Sequence, residues 1–405
     1  MKLANNLHLT YCTNIHPGET WSEVENNLKQ YLPQLKTRLS PDNSFGIGLR
    51  LANIATKELL AGDNLVRFKN WLDAENLYVF TLNGFPYGEF HHQVVKDRVY
   101  APDWTKPERF DYTIRLIEIL TALLPEQIDG GISTVPISYK PWWQDSEHQE
   151  KVLHQSSLYL AQAIAQLAEV YQNTGKIIHI DLEPEPDGML ENSREIISFF
   201  QNWLLPVGKQ WLQLQLGVSH SVAEYWMRQH IRVCYDTCHF AIEYEEPQDI
   251  VRRFKDAGIK IGKIQLSSAI KIDIPAELDR RQLILDRLTP FAESTYLHQV
   301  IARYNNGNLE HHLDLSDALK HFLATKAAEW RTHFHVPIFL ANYQLFRSTQ
   351  DHIIKLLQML PDSNLGNHLE IETYTWEVLP SDMKLDISTS IEREYQWVLS
   401  TIDLG

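Results

Sequence analysis

Cysteine is scarce, three residues in 405, and two of the three, Cys234 and Cys238, flank a single aspartate instead of forming a spaced framework. A disulfide-stapled scaffold is therefore excluded, and the cysteines read as inert packing thiols. Long apolar runs are missing too. Met1 to Leu9 holds one lysine and no extended hydrophobic stretch, so it reads as neither a secretory signal nor a membrane span. The expected protein is soluble and cytoplasmic, with no membrane insertion. Positive charge is also short, 37 Lys and Arg against 52 Asp and Glu, for a formal net charge of -15. A general binder of nucleic-acid backbones needs a basic surface to release counterions, so the expected partner is a small-molecule metabolite and no nucleic acid. No internal repeat and no clean domain boundary is visible.

With 44% hydrophobic and 22% charged residues the chain is ordinary globular material, long enough for one large core. Strand-forming runs and amphipathic helical segments alternate along it. Strands are expected at Leu7 to Cys12, Gly46 to Leu51, Tyr78 to Leu82, Gly131 to Val135, Ile177 to Glu183, Val233 to Asp236, Ile261 to Leu266 and His368 to Glu372. This alternation predicts one α/β domain over residues 1–405, a TIM (β/α)8 barrel. Lys57 to about Asn76 reads as helical. Two regions exceed a minimal barrel. Trp211 to Val218 is an apolar run readable as strand or helix, and about 294–340 holds a hairpin turning at Asn305-Asn306-Gly307 plus an extended piece, Arg331 to Leu340. Both read as insertions before the last strand.

Side chains alternate along a strand, so parity decides which residues face the barrel interior. In strand five the isoleucines and Leu182 oppose His179, Asp181 and Glu183. Strand six sets Val233 and Tyr235 against Cys234 and Asp236, strand seven sets Ile264 and Leu266 against Lys263 and Gln265, and strand eight sets Leu369 and Ile371 against His368, Glu370 and Glu372. Glu183, Asp236 and Glu372 each end their strand, the level at which barrel enzymes place their sites. Leaving such acids charged, buried and unpaired costs several kcal/mol, of order, for each, so they call for a cation. Three carboxylates with a Gln or His donor suit a divalent metal, Mn, Mg or Zn. A salt-bridge network with Arg50, Arg232 or Lys263 is the plainer alternative. His239 follows Asp236 in a D-x-x-H spacing. The loop from Asn83 to His92 is rich in Gly, Pro and aromatic residues, a composition common in functional loops. His333 and His335 share one face of an extended segment, and His298 lies on the hairpin.

With these residues in place, the chain resembles the xylose-isomerase-like TIM barrels, a group of sugar isomerases and epimerases that also contains endonuclease IV. There a metal is held by Glu, Asp, His and Glu on strands five to eight, positions that fall on Glu183, Asp236, Gln265 and Glu372. Glutamine stands where the group has histidine, which implies a weaker or different metal, or a substitute such as His335. His239 matches the second residue of the group's D-x-x-H motif, implied to touch substrate or a further metal. A narrower resemblance runs through His8 to Trp21 (HLTYCTNIHPGETW), Asn83 to Phe90 (NGFPYGEF), Val99 to Trp104 (VYAPDW), Asp181 to Asp187 (DLEPEPD), Cys234 to His239 (CYDTCH) and Glu370 to Pro380 (EIETYTWEVLP). Those stretches are similar to the EboE family of metabolite traffic proteins. That family accompanies a small bacterial operon and is linked in cyanobacteria to export of a scytonemin precursor, so contact with other proteins of the operon is implied.

The expected protein is thus a metal-dependent isomerase or epimerase of a sugar- or cyclitol-like polyol or its phosphate. Glu183, Glu372 and His239 form the catalytic set, and Glu183, Asp236, Gln265, Glu372, His239 and His335 the metal set. His8, Arg50, Asn83, Phe85, His91 and Trp376 are expected toward substrate. Two readings compete. Gln265 in a ligand position favours a non-catalytic metabolite-binding or traffic protein, and the many histidines allow an endonuclease IV-like phosphodiester hydrolase, which the acidic charge opposes.

Overall fold

The strands form where β-branched and aromatic residues cluster. In the computed structural model, which describes residues 1–88, 96–292, 296–360, 365–374, 376 and 385–403, seven parallel strands come first: β1 (His8–Tyr11), β2 (Phe45–Arg50), β3 (Leu77–Asn83), β4 (Gly130–Thr134), β5 (Ile178–Leu182), β6 (Ile231–Asp236) and β7 (Ile261–Leu266). Next along the chain lie β8 (Ile270–Asp273), β9 (Val300–Arg303), β10 (Leu309–His312), β11 (Glu329–Thr332), β12 (Asn342–Tyr343) and β13 (Phe346–Ser348), and then β14 (His368–Ile371). The barrel sheet runs β1-β14-β7-β6-β5-β4-β3-β2. A parallel bridge from Cys12 to Gly48 brings its two edges together, so the eight parallel strands make a nearly closed α/β barrel.

Helices between the strands carry the start and stop signals their sequences advertise. Thr20 and Glu23 form a capping box at the head of Trp21–Leu39, Pro107 opens Pro107–Leu123, and Asp145 and Gly175 bracket Ser146–Thr174. The segment expected as one helix from Lys57 is two, Asn53–Leu59 and Asn64–Ala74, because Gly62 takes a φ of +60° between them. The ambiguous run at Trp211 belongs to a helix, Leu205–Leu216, which continues from the π-helical stretch Phe200–Leu204 and is stopped by Gly217. Its Leu-Gln-Leu-Gln-Leu alternation imitates a strand, yet Leu212 is buried while Leu214 is 73% exposed. No described helix is long and apolar enough to cross a membrane.

The barrel interior is polar through its height, as strand parity predicts. At mid-height Lys263 Nζ lies 2.7 Å from Glu370 Oε2, both side chains fully buried. Burial alone would discharge Lys263, but Glu370 holds its ammonium well above the usual range. Space for Glu370 comes from Gly48, where a Cβ would stand 1.9 Å from Oε1.

Between β7 and β14 the chain builds a second sheet, ordered β10-β9-β11-β8-β13-β12 and antiparallel throughout. It has its own core around Ile272, Val300, Phe322, Trp330 and Phe346. Its strands begin at Ile270 and end at Ser348, wider than the 294–340 expected for the insertion. The hairpin at Asn305 to Gly307 is only its outer corner, and β8 follows β7 too closely to be separated by pattern.

The C-terminal helix Ile387–Asp403 locks insert to barrel. Oε1 of Glu394 accepts from Ile338 N at 3.1 Å and Thr373 Oγ1 at 2.8 Å. Burial pushes the Glu394 carboxyl up to about 8. A carboxyl raised on folding stabilises fully below its unfolded value, about 4.3, and that contribution is lost as pH rises through the folded one. The denaturation midpoint is therefore expected to fall between pH 5 and 9, and Glu394→Gln to flatten that slope. A slope unchanged by the substitution would reject the assignment.

Candidate metal centre

Asp236 closes β6 and caps the helix that follows, Thr237–Ile242. Its Oδ1 accepts from Cys238 N at 2.7 Å, His239 N at 3.0 Å and Ser267 Oγ at 2.6 Å. The D-x-x-H spacing is thus an N-cap that aims His239 at the barrel mouth. From the other side, the chain leaves β11 at Thr332 and stays extended. Phe334 and Val336 enter the insert's core, and alternation points His333 and His335 the opposite way, toward His239.

The three rings meet through their Nε2 atoms. His239 to His333 is 3.2 Å, His333 to His335 is 3.2 Å, and His335 to His239 is 3.4 Å. Each Nδ1 faces an oxygen acceptor: Pro184 O at 3.0 Å for His239, Gln299 Oε1 at 2.8 Å for His333 and Glu372 O at 3.0 Å for His335. Those partners place the proton on Nδ1 and leave a lone pair on every Nε2. Three lone pairs at that spacing repel unless a cation or a proton sits among them. Zinc-to-nitrogen bonds of about 2.0–2.1 Å put neighbouring ligands of a tetrahedral ion about 3.3 Å apart, which matches the triangle. Burial, with the neighbouring rings adding to it, holds His239 and His333 well below the usual imidazole range. Neutral rings are the form that binds metal.

Carboxylates surround the triangle. Asp236 Oδ1 and Glu185 Oε2 each lie 3.9 Å from His239 Nε2. Asp236 Oδ2 and Glu185 Oε1 are buried without a hydrogen-bond partner among the described residues. Ligand atoms of Asp236, His239 and His335 fall within 4.8 Å of one another, as do those of Glu185, His239 and His333. The donor set therefore fits one ion held by three imidazoles and a carboxylate.

A pocket of about 590 Å³ opens onto this cluster, lined by Glu183, Glu185, Glu372, Asn14, Asn83 and the rings of Phe85, Tyr100, Tyr296 and Tyr374, with Lys96 among its walls. Lys96 pairs with Asp314 of the insert. Glu183 Oε1 is 3.9 Å from Nδ1 of His239, the ring nitrogen that does not join the triangle, and Oε2 has no partner among the described residues. Glu372 is held: Oε1 accepts from Asn14 Nδ2 at 2.7 Å and Asn83 Nδ2 at 2.8 Å, Oε2 from Gln265 Nε2 at 2.9 Å. Burial pushes both carboxyls well up, Glu183 further through Glu372 and Asp236, and Glu372 through Asp236 and Glu370.

Several sequence expectations shift. Gln265 does not point a free oxygen at the cluster: Oε1 accepts from Cys234 Sγ at 2.6 Å while the amide donates to Glu372, so it stands behind that carboxylate. His8 starts β1 and so lies at the opposite end of the barrel, 2.8 Å from Tyr78 Oη. Arg50 is tied to Glu19 at 3.0 Å and Gly18 O at 2.9 Å, fastening the loop after β1. Trp376 packs against the insert's core. His91 lies outside the described residues. His298 stacks on Phe334, ring centroids 3.9 Å apart, and supports rather than joins the cluster. Asn83 and Phe85 line the pocket.

His333 completes the triangle although sequence reasoning favoured His335. The His-x-His spacing on one extended segment was the signal, since both rings must point the same way. Glu185 was passed over because it lies beyond β5 in the Pro-rich run Pro184-Glu185-Pro186, where parity no longer applies. Gln299 carried no signal. Gln299→Leu removes the acceptor that orients His333 and is expected to weaken zinc binding about 10–100-fold, measurable by chelator competition, with the far-ultraviolet circular dichroism unchanged.

The geometry defines a class: a parallel β/α barrel with a pocket of candidate metal ligands at the C-terminal ends of its strands. No family model matches the sequence, and neither does any curated protein. Solved structures do. A D-tagatose 3-epimerase-like protein superposes with a TM-score of 0.51 at 10% identity, covering 98% of this chain and 99% of that one. The IolI protein with a bound zinc atom gives 0.49 at 11% identity over 98% and 99%. A xylose isomerase-like TIM barrel protein from Mycobacterium smegmatis in complex with magnesium gives 0.47 at 10% identity over 99% and 100%. The fold is a TIM (β/α)8 barrel, shared with the D-tagatose 3-epimerase-like protein.

Proposed function

We propose that the protein is a metal-dependent enzyme that moves a proton on a carbon next to a carbonyl in a small polyol, the chemistry of sugar isomerases and epimerases. The observation that carries this reading is the triangle of Nε2 lone pairs beside Glu183 in one pocket. His239, His333 and His335 would hold the ion, with Asp236 or Glu185 as the carboxylate donor. Bound there, a divalent ion supplies Lewis acidity to a substrate oxygen. Imidazole-rich donor sets favour zinc over magnesium or manganese.

The chain's own groups divide the remaining work. Glu183, with an oxygen that no described residue engages, takes and returns the proton. Glu372 is fixed by three amides and in turn receives Nδ1 of His335 on its carbonyl, so it positions rather than reacts. Phe85, Tyr100, Tyr296 and Tyr374 wall the pocket and exclude water. The motifs similar to the EboE family support placing this activity in the making or export of a bacterial metabolite of the scytonemin-precursor type. A non-catalytic traffic role drew its support from Gln265 as a weakened ligand, and Gln265 stands outside the cluster.

The test is solvent exchange. Zinc-loaded protein is incubated in D2O with panels of ketoses, aldoses and cyclitol ketones, free and phosphorylated, and carbon-bound deuterium is followed by NMR. Metal-dependent exchange supports the proposal. Binding without exchange across the panel favours the traffic role, and cleavage of a phosphodiester with no exchange favours the hydrolase.

A further inference from the structure

The far end of the barrel holds a second cluster that the pocket does not use. His179, early in β5, and His368, the first residue of β14, are both fully buried, and their rings stack with centroids 5.6 Å apart. Asp129, just before β4, faces both. Its Oδ1 is 3.4 Å from His368 Nε2 and its Oδ2 is 3.6 Å from His179 Nε2. Both separations are long for a hydrogen bond, and both lie near the roughly 3.3 Å edge of a tetrahedral zinc site. Nε2 of His179 and both ring nitrogens of His368 are buried without a hydrogen-bond partner among the described residues.

The surroundings are those of ligands held in place from behind. Asp181 Oδ1 sits 2.6 Å from His179 Nδ1, which leaves Nε2 of that ring to face Asp129. Arg232 Nη1 lies 2.7 Å from Asp129 Oδ2 and fixes the carboxylate. Two strands give up side chains to make room. A Cβ on Gly262 would stand 1.9 Å from Asp181 Oδ1 and 2.7 Å from His179 Nδ1, and one on Gly131 would stand 2.6 Å from Asp181 Oδ2 and 2.9 Å from His179 Cε1.

We propose that Asp129, His179 and His368 form a second divalent-metal site, a zinc-type site of two imidazoles and a carboxylate at the N-terminal end of the barrel. It is structural: it ties the loop before β4 to β5 and to β14, the last strand of the barrel. The site is independent of the pocket at the other end and of the reaction proposed there.

Cobalt(II) titration of the full chain tests it, read by bound equivalents and by visible absorption. The wild-type chain is expected to bind two equivalents, His335→Ala one, Asp129→Asn one, and the double variant none. Asp129 is partly exposed, so its amide is a mild change, and His368→Gln serves as a second variant on the same strand end. The proposal is overturned if Asp129→Asn and His368→Gln both leave the wild-type stoichiometry intact, or if His335→Ala binds nothing. An equivalent surviving in the double variant lies elsewhere and overturns it too. If instead His335→Ala binds as much as wild type while Asp129→Asn binds one fewer, the lower site stands and the pocket cluster fails.

Discussion

Zinc-loaded protein carrying His335→Ala is expected to hold one metal equivalent fewer than the parent and to melt at a markedly lower temperature. His335 supplies one corner of a triangle whose edges are 3.2, 3.2 and 3.4 Å, and its loss leaves two imidazoles and a carboxylate to hold an ion. Because the site draws on both sheets, the unfolded chain has no equivalent of it. An ion that binds only the folded state stabilises by about 4 kcal/mol at a thousandfold excess over its dissociation constant, and that increment disappears with the site. His298→Ala is the control, since that ring stacks on Phe334 and lies outside the triangle. It should cost packing and keep the metal. Full metal occupancy in His335→Ala, measured by plasma emission after dialysis, would remove the basis for the centre.

Glu183→Gln should leave metal content and fold as they are and slow exchange of the substrate's carbon-bound proton by about 10²–10⁴-fold, the usual contribution of a positioned acid–base group. The amide has the carboxylate's shape and none of its basicity. Glu372→Gln makes an instructive partner. Its oxygens receive Asn14, Asn83 and Gln265, so an amide there sets donor against donor and disturbs the pocket wall. Its defect should appear in KM and metal affinity more than in kcat, whereas that of Glu183→Gln should appear in kcat. Equal losses in kcat for the two variants would mean that both carboxyls react.

The barrel was legible because its signals are local. Eight short β-rich runs, most of them followed by helical periodicity, announce βαβ units, and parity alone set His179, Glu183, Asp236, Gln265 and Glu372 on the inner face. The candidate metal ligands were legible in part. Asp236 and His239 sit three apart on one chain segment, so a motif finds them. His333 and His335 arrive from nearly a hundred residues downstream, just past a strand of another sheet, and nothing local says that this sheet folds over the barrel mouth. Gln265 stands at the strand position the resemblance points to, but Cys234 and Glu372 engage both ends of its amide. His8 misled for a simpler reason: it begins its strand, and the pocket lies at the other end.

One triangle corner comes from the barrel and two from the segment leaving the inserted sheet, so capturing an ion there would also be an act of assembly. An ion bound there would be a rivet through the seam between two separate hydrophobic cores, and its removal would leave like-signed lone pairs pressed together along that seam. The inserted sheet therefore cannot be trimmed away to recover a simpler barrel with its centre intact. Metal supply would then govern how firmly the two sheets stay joined.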